Sequence, residues 1–110
     1  MRRELLPGTL EMLILKTLSM ASMHGYAIAQ HLRRVSRDVV QVEEGSLYPA
    51  LQRLLANGWV TVAWRETPTK RQARYYTITA AGRKQLGEEV SGFTDMMDAI
   101  KRILAYQGRS

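Results

Sequence analysis

The residues of this chain best equipped for chemistry are long, polar and mostly cationic, and they fall in two stretches. One is Glu44-Gly45-Ser46-Leu47-Tyr48-Pro49-Ala50-Leu51-Gln52-Arg53-Leu54-Leu55, and the other runs from Arg65 to Arg74, with four positive residues and one negative. Gln52 carries an amide whose donor and acceptor match an adenine edge, and Arg53 a fork of donors that matches a guanine edge. Lys70, Arg71 and Arg74 are cations suited to phosphate oxygens. Tyr48 offers a ring to pack on a neighbouring helix and a hydroxyl for a phosphate. Pro49 shares its exposed side, and Ser46 suits either a helix cap or a phosphate ligand. Enzyme chemistry finds less to work with: the chain has no cysteine, no glycine-rich phosphate loop and no convincing His and carboxylate pair. His24 and His31 stand two helical turns apart on one face, too distant to share a metal without further ligands, so neither a metal nor a cofactor is expected.

These residues need elements to hold them. Leu47, Leu51, Leu54 and Leu55 recur at helical spacing and face a core, which turns Ser46, Tyr48, Pro49, Gln52 and Arg53 outward. Asn57-Gly58 ends that helix, Gly58 supplying the left-handed cap. Strands follow over Trp59–Arg65 and Arg74–Thr79, flanking the turn 66–73. Upstream, a first helix starts after Pro7-Gly8 with Glu11 in its first turn and Leu10, Leu13, Ile14, Thr17, Leu18 and Ala21 on one face. A second runs from about Gly25 or Tyr26 to Val35, with Ile28, Leu32 and Val35 inward and Gln30, Arg33 and Arg34 outward. Val39 to Val42 reads as a short strand completing the sheet. Pro49 is expected within the first turn of its helix, where a missing amide costs nothing. In the last helix Leu86, Val90, Phe93, Met97, Ile100 and Leu104 are spaced as an a/d repeat, the pattern of a helix lying along another helix. Gly87 and Gly92 weaken that helix by roughly 1 kcal/mol each against alanine, so packing must hold it.

The fold class that follows is mainly α with a small β-hairpin wing: a winged helix-turn-helix over residues 1–79 and a C-terminal dimerisation helix over 80–110, in one compact unit. With 110 residues, folding buries only about 60 to 70% of the unfolded surface, so support from a second subunit is expected. The net charge of +6 is uneven: residues 1–84 hold 13 of the 16 Lys and Arg against six acids, while 85–110 hold three against four. The basic head should therefore meet a polyanion. Double-stranded DNA is the leading partner, and a protein partner or an acidic membrane surface the alternative. A stacking platform for single strands, built from Tyr75, Tyr76 and the two tryptophans, ranks lower because strand alternation buries about half of them. The absence of cysteine fits a reducing cytoplasm. The start of the chain has too short an apolar run for a signal peptide, and no stretch approaches the roughly 18 apolar residues of a membrane span. A cytoplasmic protein is expected.

His24-Gly25-Tyr26, Glu44 to Leu51 with Arg53-Leu54, Gly58-Trp59-Val60, and Arg74 to Thr79 followed by Gly82 together resemble the PadR-like transcriptional regulators over roughly residues 8 to 86. The resemblance implies a homodimeric bacterial repressor of the short subgroup. Its third helix would lie in the major groove, its wing on the backbone or minor groove, and its C-terminal helix in the dimer contact. It also leaves room for a small-molecule effector at the dimer interface, between the terminal helices and lined by Phe93 and Met97. One departure is the wing tip, where Thr69-Lys70-Arg71-Gln72-Ala73 replaces the glycine and proline common in that family.

Overall fold

The structure is a computed structural model and describes residues 8–108. The start of the chain, and with it the reading of its first seven residues, lies outside the described residues. In chain order the elements are α1 (Thr9–Leu18), β1 (Met23–His24), α2 (Gly25–Val35), α3 (Glu44–Ala56), β2 (Val60–Glu66), β3 (Gln72–Ile78) and α4 (Ala80–Ala105). The strands form one antiparallel sheet in the order β1-β3-β2. This is the winged helix-turn-helix with an added C-terminal helix that the apolar spacing predicts.

One core joins the head. Ile14, Leu15 and Leu18 of α1 meet Ile28 and Leu32 of α2, Leu47, Ala50, Leu51 and Leu54 of α3, and Val60, Tyr76 and Ile78 of the sheet. Two expectations at its edge are corrected. Val35 is 65% exposed, because α2 ends there and the chain turns away. Ala21 lies past the end of α1 and is exposed, while Met12 and Leu15 take inward places that the 3.6-residue pattern did not assign them. Tyr76 is buried with its hydroxyl unpartnered among the described residues, and burial pushes its pKa up against the opposing pull of Arg74.

The third strand also differs from expectation. Residues 39–42 are irregular, and it is Met23–His24 that pairs with β3, through Met23 opposite Tyr76 and His24 opposite Tyr75. The reason lies at the end of α2, where Arg37 and Asp38 both take positive φ, at 54° and 67°. The Asp38 amide donates to the Arg33 carbonyl at 2.8 Å and the Arg37 amide to that of Arg34 at 3.1 Å, a left-handed cap made without glycine. Ser36 Oγ then accepts the Val40 amide at 2.8 Å. The chain is thereby turned back on the helices, and Val40 and Val42 place their apolar surface on the core instead of on a sheet edge.

Two close junctions fix α3 and α4. At the end of α3 the amides of Gly58 and Trp59 donate to the carbonyls of Leu55 and Leu54, both at 3.0 Å, with Gly58 at φ 74°. Thr79 then joins the sheet to α4: its hydroxyl donates to the Gly58 carbonyl at 2.8 Å and accepts the Gly82 amide at 3.0 Å, as the cap of the new helix. α4 has 26 residues, about 39 Å at ~1.5 Å per residue.

Candidate nucleic-acid interface

α3 begins at Glu44, so its outer side can be read residue by residue. At about 100° per residue the outermost ridge is Gly45, Pro49, Gln52 and Ala56, with Tyr48 on the flank towards α2 and Arg53 on the flank towards α1. Ser46, Tyr48, Pro49, Gln52 and Arg53 are all exposed, as the spacing of the leucines predicts. Ser46 is the third helical residue after the Glu43 cap position, which removes the capping role and leaves its hydroxyl outward. Pro49 is not in the first turn but is the sixth helical residue, where it has no N–H to give to the carbonyl of Gly45. Nothing lies within 4 Å of where a Gly45 Cβ would stand. The fold itself does not ask for glycine there.

The two flanking side chains are tied back to neighbouring helices. A Cβ on Gly25, the first residue of α2, would lie 3.2 Å from the Tyr48 hydroxyl oxygen and 3.4 Å from two of its ring carbons, so the ring rests on the start of α2 as expected. On the other flank Arg53 Nε donates to Glu11 Oε1 at 2.7 Å, and Arg53 Nη2 donates to the same oxygen. This pair was not legible in the sequence: its members stand 42 positions apart, and Glu11 at the start of α1 has a sufficient local reason in the helix dipole.

The wing is a hairpin whose strands are paired from Val60 opposite Ile78 to Glu66 opposite Gln72, leaving the loop Thr67–Arg71. That loop is shorter than the predicted turn and is well bonded. The Thr67 amide donates to the Arg71 carbonyl at 2.7 Å, the Lys70 amide to the Thr67 carbonyl at 2.9 Å, and the Arg71 amide to Thr67 Oγ1 at 3.2 Å. Lys70 takes the left-handed position, at φ 62°. A non-glycine residue costs roughly 1 to 2 kcal/mol there, and the turn thereby carries a cation at its tip. Lys70, Arg71 and Arg74 stand on this hairpin, Lys70 and Arg71 exposed at its loop and Arg74 in β3, paired in register with the exposed Trp64. Of the four aromatics considered as a stacking platform, Tyr76 is core, Tyr75 and Trp59 are half-buried and only Trp64 stands out.

The wing and α2 meet at His24. Its Nδ1 accepts the Ala27 amide at 3.2 Å, capping α2, and its ring stands edge-on to Tyr75 at 5.3 Å. Arg65 lies over the same tyrosine, 5.0 Å from the ring centroid. Between α2 and α3 a groove of about 890 Å³ carries Arg33, Arg34 and Arg37 on its rim. Arg33 is held by Asp38 at 2.9 Å. None of these cations was picked out for DNA by the sequence pattern, which marked Arg33 and Arg34 only as outward. Among the described residues no cluster of His, Asp and Glu is fit to hold a metal.

A basic hairpin beside a helix with a polar outer ridge is common to many nucleic-acid-binding domains, and comparison narrows the choice. The family model for the PadR-like transcriptional regulators matches residues 14–88. The chain belongs to the PadR-like family. Its members are regulators of transcription and not enzymes. Similar solved structures include a PadR-like regulator from Bacillus cereus, 27% identical over 93% of this chain and 95% of that one, with a TM-score of 0.76. A transcriptional regulator from Clostridium thermocellum is 26% identical over 84% of this chain and 89% of that one, with a TM-score of 0.77. The PadR of Bacillus subtilis, solved in complex with operator DNA, shares the fold with a TM-score of 0.66 at 24% identity, over 74% of this chain and 47% of that one. Among the described residues no helix of this PadR-like chain is long and apolar enough to cross a membrane.

Proposed function

We propose that this PadR-like chain is a cytoplasmic, sequence-specific repressor that binds duplex DNA as a homodimer. The observation that carries the reading is the exposed ridge of α3, with Gln52 as its one long side chain, set beside a wing that bears Lys70, Arg71 and Arg74. α3 enters the major groove, where an amide side chain has base edges to read, and the wing lies on the flanking backbone. Residues 80–110 form the dimer contact, and the space between the two α4 helices, bordered by Phe93 and Met97, is where a small-molecule effector would sit. A two-fold dimer requires a near-palindromic operator with half-sites about 10 base pairs apart, or a multiple of that. Selection of duplexes from a random pool by the purified protein tests this. The retained sequences should converge on an inverted repeat, and a pool that stays random would favour the alternative of a protein-binding or membrane-binding module.

Ridge and wing should fail differently. Gln52→Ala is expected to cost about 1 to 3 kcal/mol on the selected duplex while barely changing the affinity for a scrambled one, since only base contacts carry sequence information. Lys70→Ala with Arg71→Ala should weaken both duplexes alike and flatten the dependence of log affinity on log salt by about 0.9 for each phosphate that the wing no longer neutralises. Binding isotherms over a salt series decide the assignment. A wing double mutant with the wild-type slope would remove the wing from the interface.

A further inference from the structure

Arg53 is the one long cation on α3, and the structure commits part of it before DNA arrives. Its Nε and one Nη2 hydrogen, the side-on edge of the guanidinium, both go to Glu11 Oε1 of α1. Glu11 is nearly enclosed, its side chain 12% exposed, whereas that of Arg53 is 58% exposed. The asymmetry matters: the carboxylate belongs to the fold, and the guanidinium keeps its end-on edge, Nη1 with the second Nη2 hydrogen, free of any partner among the described residues. An unheld arginine on a helix flank has rotamer entropy to lose and reaches any phosphate within its radius. Held by Glu11, it has one orientation left and its charge is offset.

We infer that Glu11 is a positioning residue for DNA recognition: it fixes the end-on fork of Arg53 for a base edge and withholds its charge from the phosphate backbone, so that the pair sets specificity and not affinity. This rests on the proposed DNA-binding function and adds to it a residue of α1 that touches no DNA. Such a fork suits the O6 and N7 acceptors of guanine. An internal carboxylate also explains how an arginine can sit on the recognition helix without adding to sequence-independent binding, which grows with every cation free to reach a phosphate.

The test uses the full chain with two duplexes, the one selected from a random pool by the wild type and a scrambled duplex of the same composition. Three quantities are read for each variant: the ratio of the two affinities, the salt slope and the melting temperature. Glu11→Gln should release Arg53 to a phosphate. Affinity for the scrambled duplex then rises, the salt slope steepens by about 0.9 per subunit, and the affinity ratio falls about tenfold. Arg53→Lys, which keeps the charge but has no fork, should lower the ratio as well. A Glu11→Gln protein with an unchanged ratio and slope overturns the inference. So does one in which both duplexes weaken by the same factor as the melting temperature drops, since the pair is then only a brace between α1 and α3. If Glu11→Gln does not fold, Glu11→Asp carries the test, because it keeps the charge and shortens the reach; an unchanged ratio in that variant is equally fatal. A wild type that prefers neither duplex would overturn the proposed function and this inference together.

Discussion

Gly82→Ala is expected to unfold much of the protein, although alanine is the better helix former by about 1 kcal/mol. A Cβ at this position would stand 2.1 Å from the Trp59 carbonyl oxygen and 2.8 Å from Ile78 Cγ1. The first of these is backbone and cannot rotate away. It is also in use, accepting the Thr79 amide at 3.0 Å, one residue from the Gly58 carbonyl that takes the Thr79 hydroxyl. Relief therefore requires α4 to lift off the start of β2, which breaks the Thr79 cap and uncovers Ile78. Overpacking against movable side chains costs about 1 to 3 kcal/mol, and a backbone contact should exceed that, against a total stability of only about 5 to 15 kcal/mol. Urea titration of Gly82→Ala beside Gly87→Ala is the cleanest measurement. Gly87 is in the same helix with nothing within 4 Å of its missing Cβ, so its alanine should be neutral or stabilising by up to about 1 kcal/mol. Two variants of equal stability would mean that α4 does not approach Trp59 as closely as the structure has it.

The contrast between these two glycines shows which parts of the molecule could be read from the chain. Periodicity reports one element's own inside and outside, so the leucines of α3 placed Ser46, Tyr48, Pro49, Gln52 and Arg53 outward without reference to anything else, whereas of the wing's four aromatics, about half of which were expected inside, only Tyr76 is buried. Gly82 and Gly87 look alike in sequence because the difference between them is a contact with Trp59, more than twenty residues away. The Glu11 and Arg53 pair escaped notice for the same reason. Val39 to Val42 misled in another way: a run rich in valine expresses only a preference for extended backbone. Whether it meets a sheet edge was decided by the left-handed backbone of Arg37 and Asp38, a conformation that aspartate tolerates better than most residues but that an arginine does not announce. Pro49 was misplaced because α3 starts one turn earlier than its apolar-periodic residues required, at Glu44. The exposure of the candidate site's side chains was thus legible from local pattern. The bonds that tension the site, formed between elements, were not.

The largest functional effect should come from a residue far from any DNA, Val90→Asp in α4. Leu86 packs on the core of the head, but beyond it the stripe is only partly covered among the described residues, with Met97 and Ile100 half-buried and the rest exposed. Val90 is 42% exposed, Phe93 39% and Leu104 79%, and beside them Ile103 is 72% exposed. An apolar face of this length on a helix carrying Gly87 and Gly92 has little to support it among the described residues, since most helical stability comes from packing and these glycines subtract from the rest. In the proposed dimer a second α4 laid along the stripe would supply that support. Aspartate at position 90 would then put an unpaired charge in the seam, at a cost of several kcal/mol. The expected result by sedimentation is a monomer at concentrations where the wild type is a dimer, with part of the helical signal of α4 lost. Operator affinity should fall by about two to four orders of magnitude, because each head must then bind its half-site without the effective concentration its partner provides. Binding to a scrambled duplex should weaken less in proportion. Ser91→Asp, an exposed position on the far side of the same helix from the stripe, serves as the control and should leave the dimer intact. A wild type that sediments as a stable monomer, or a Val90→Asp protein that remains a dimer, would mean that the exposed stripe of α4 is covered by something other than a second copy of the chain.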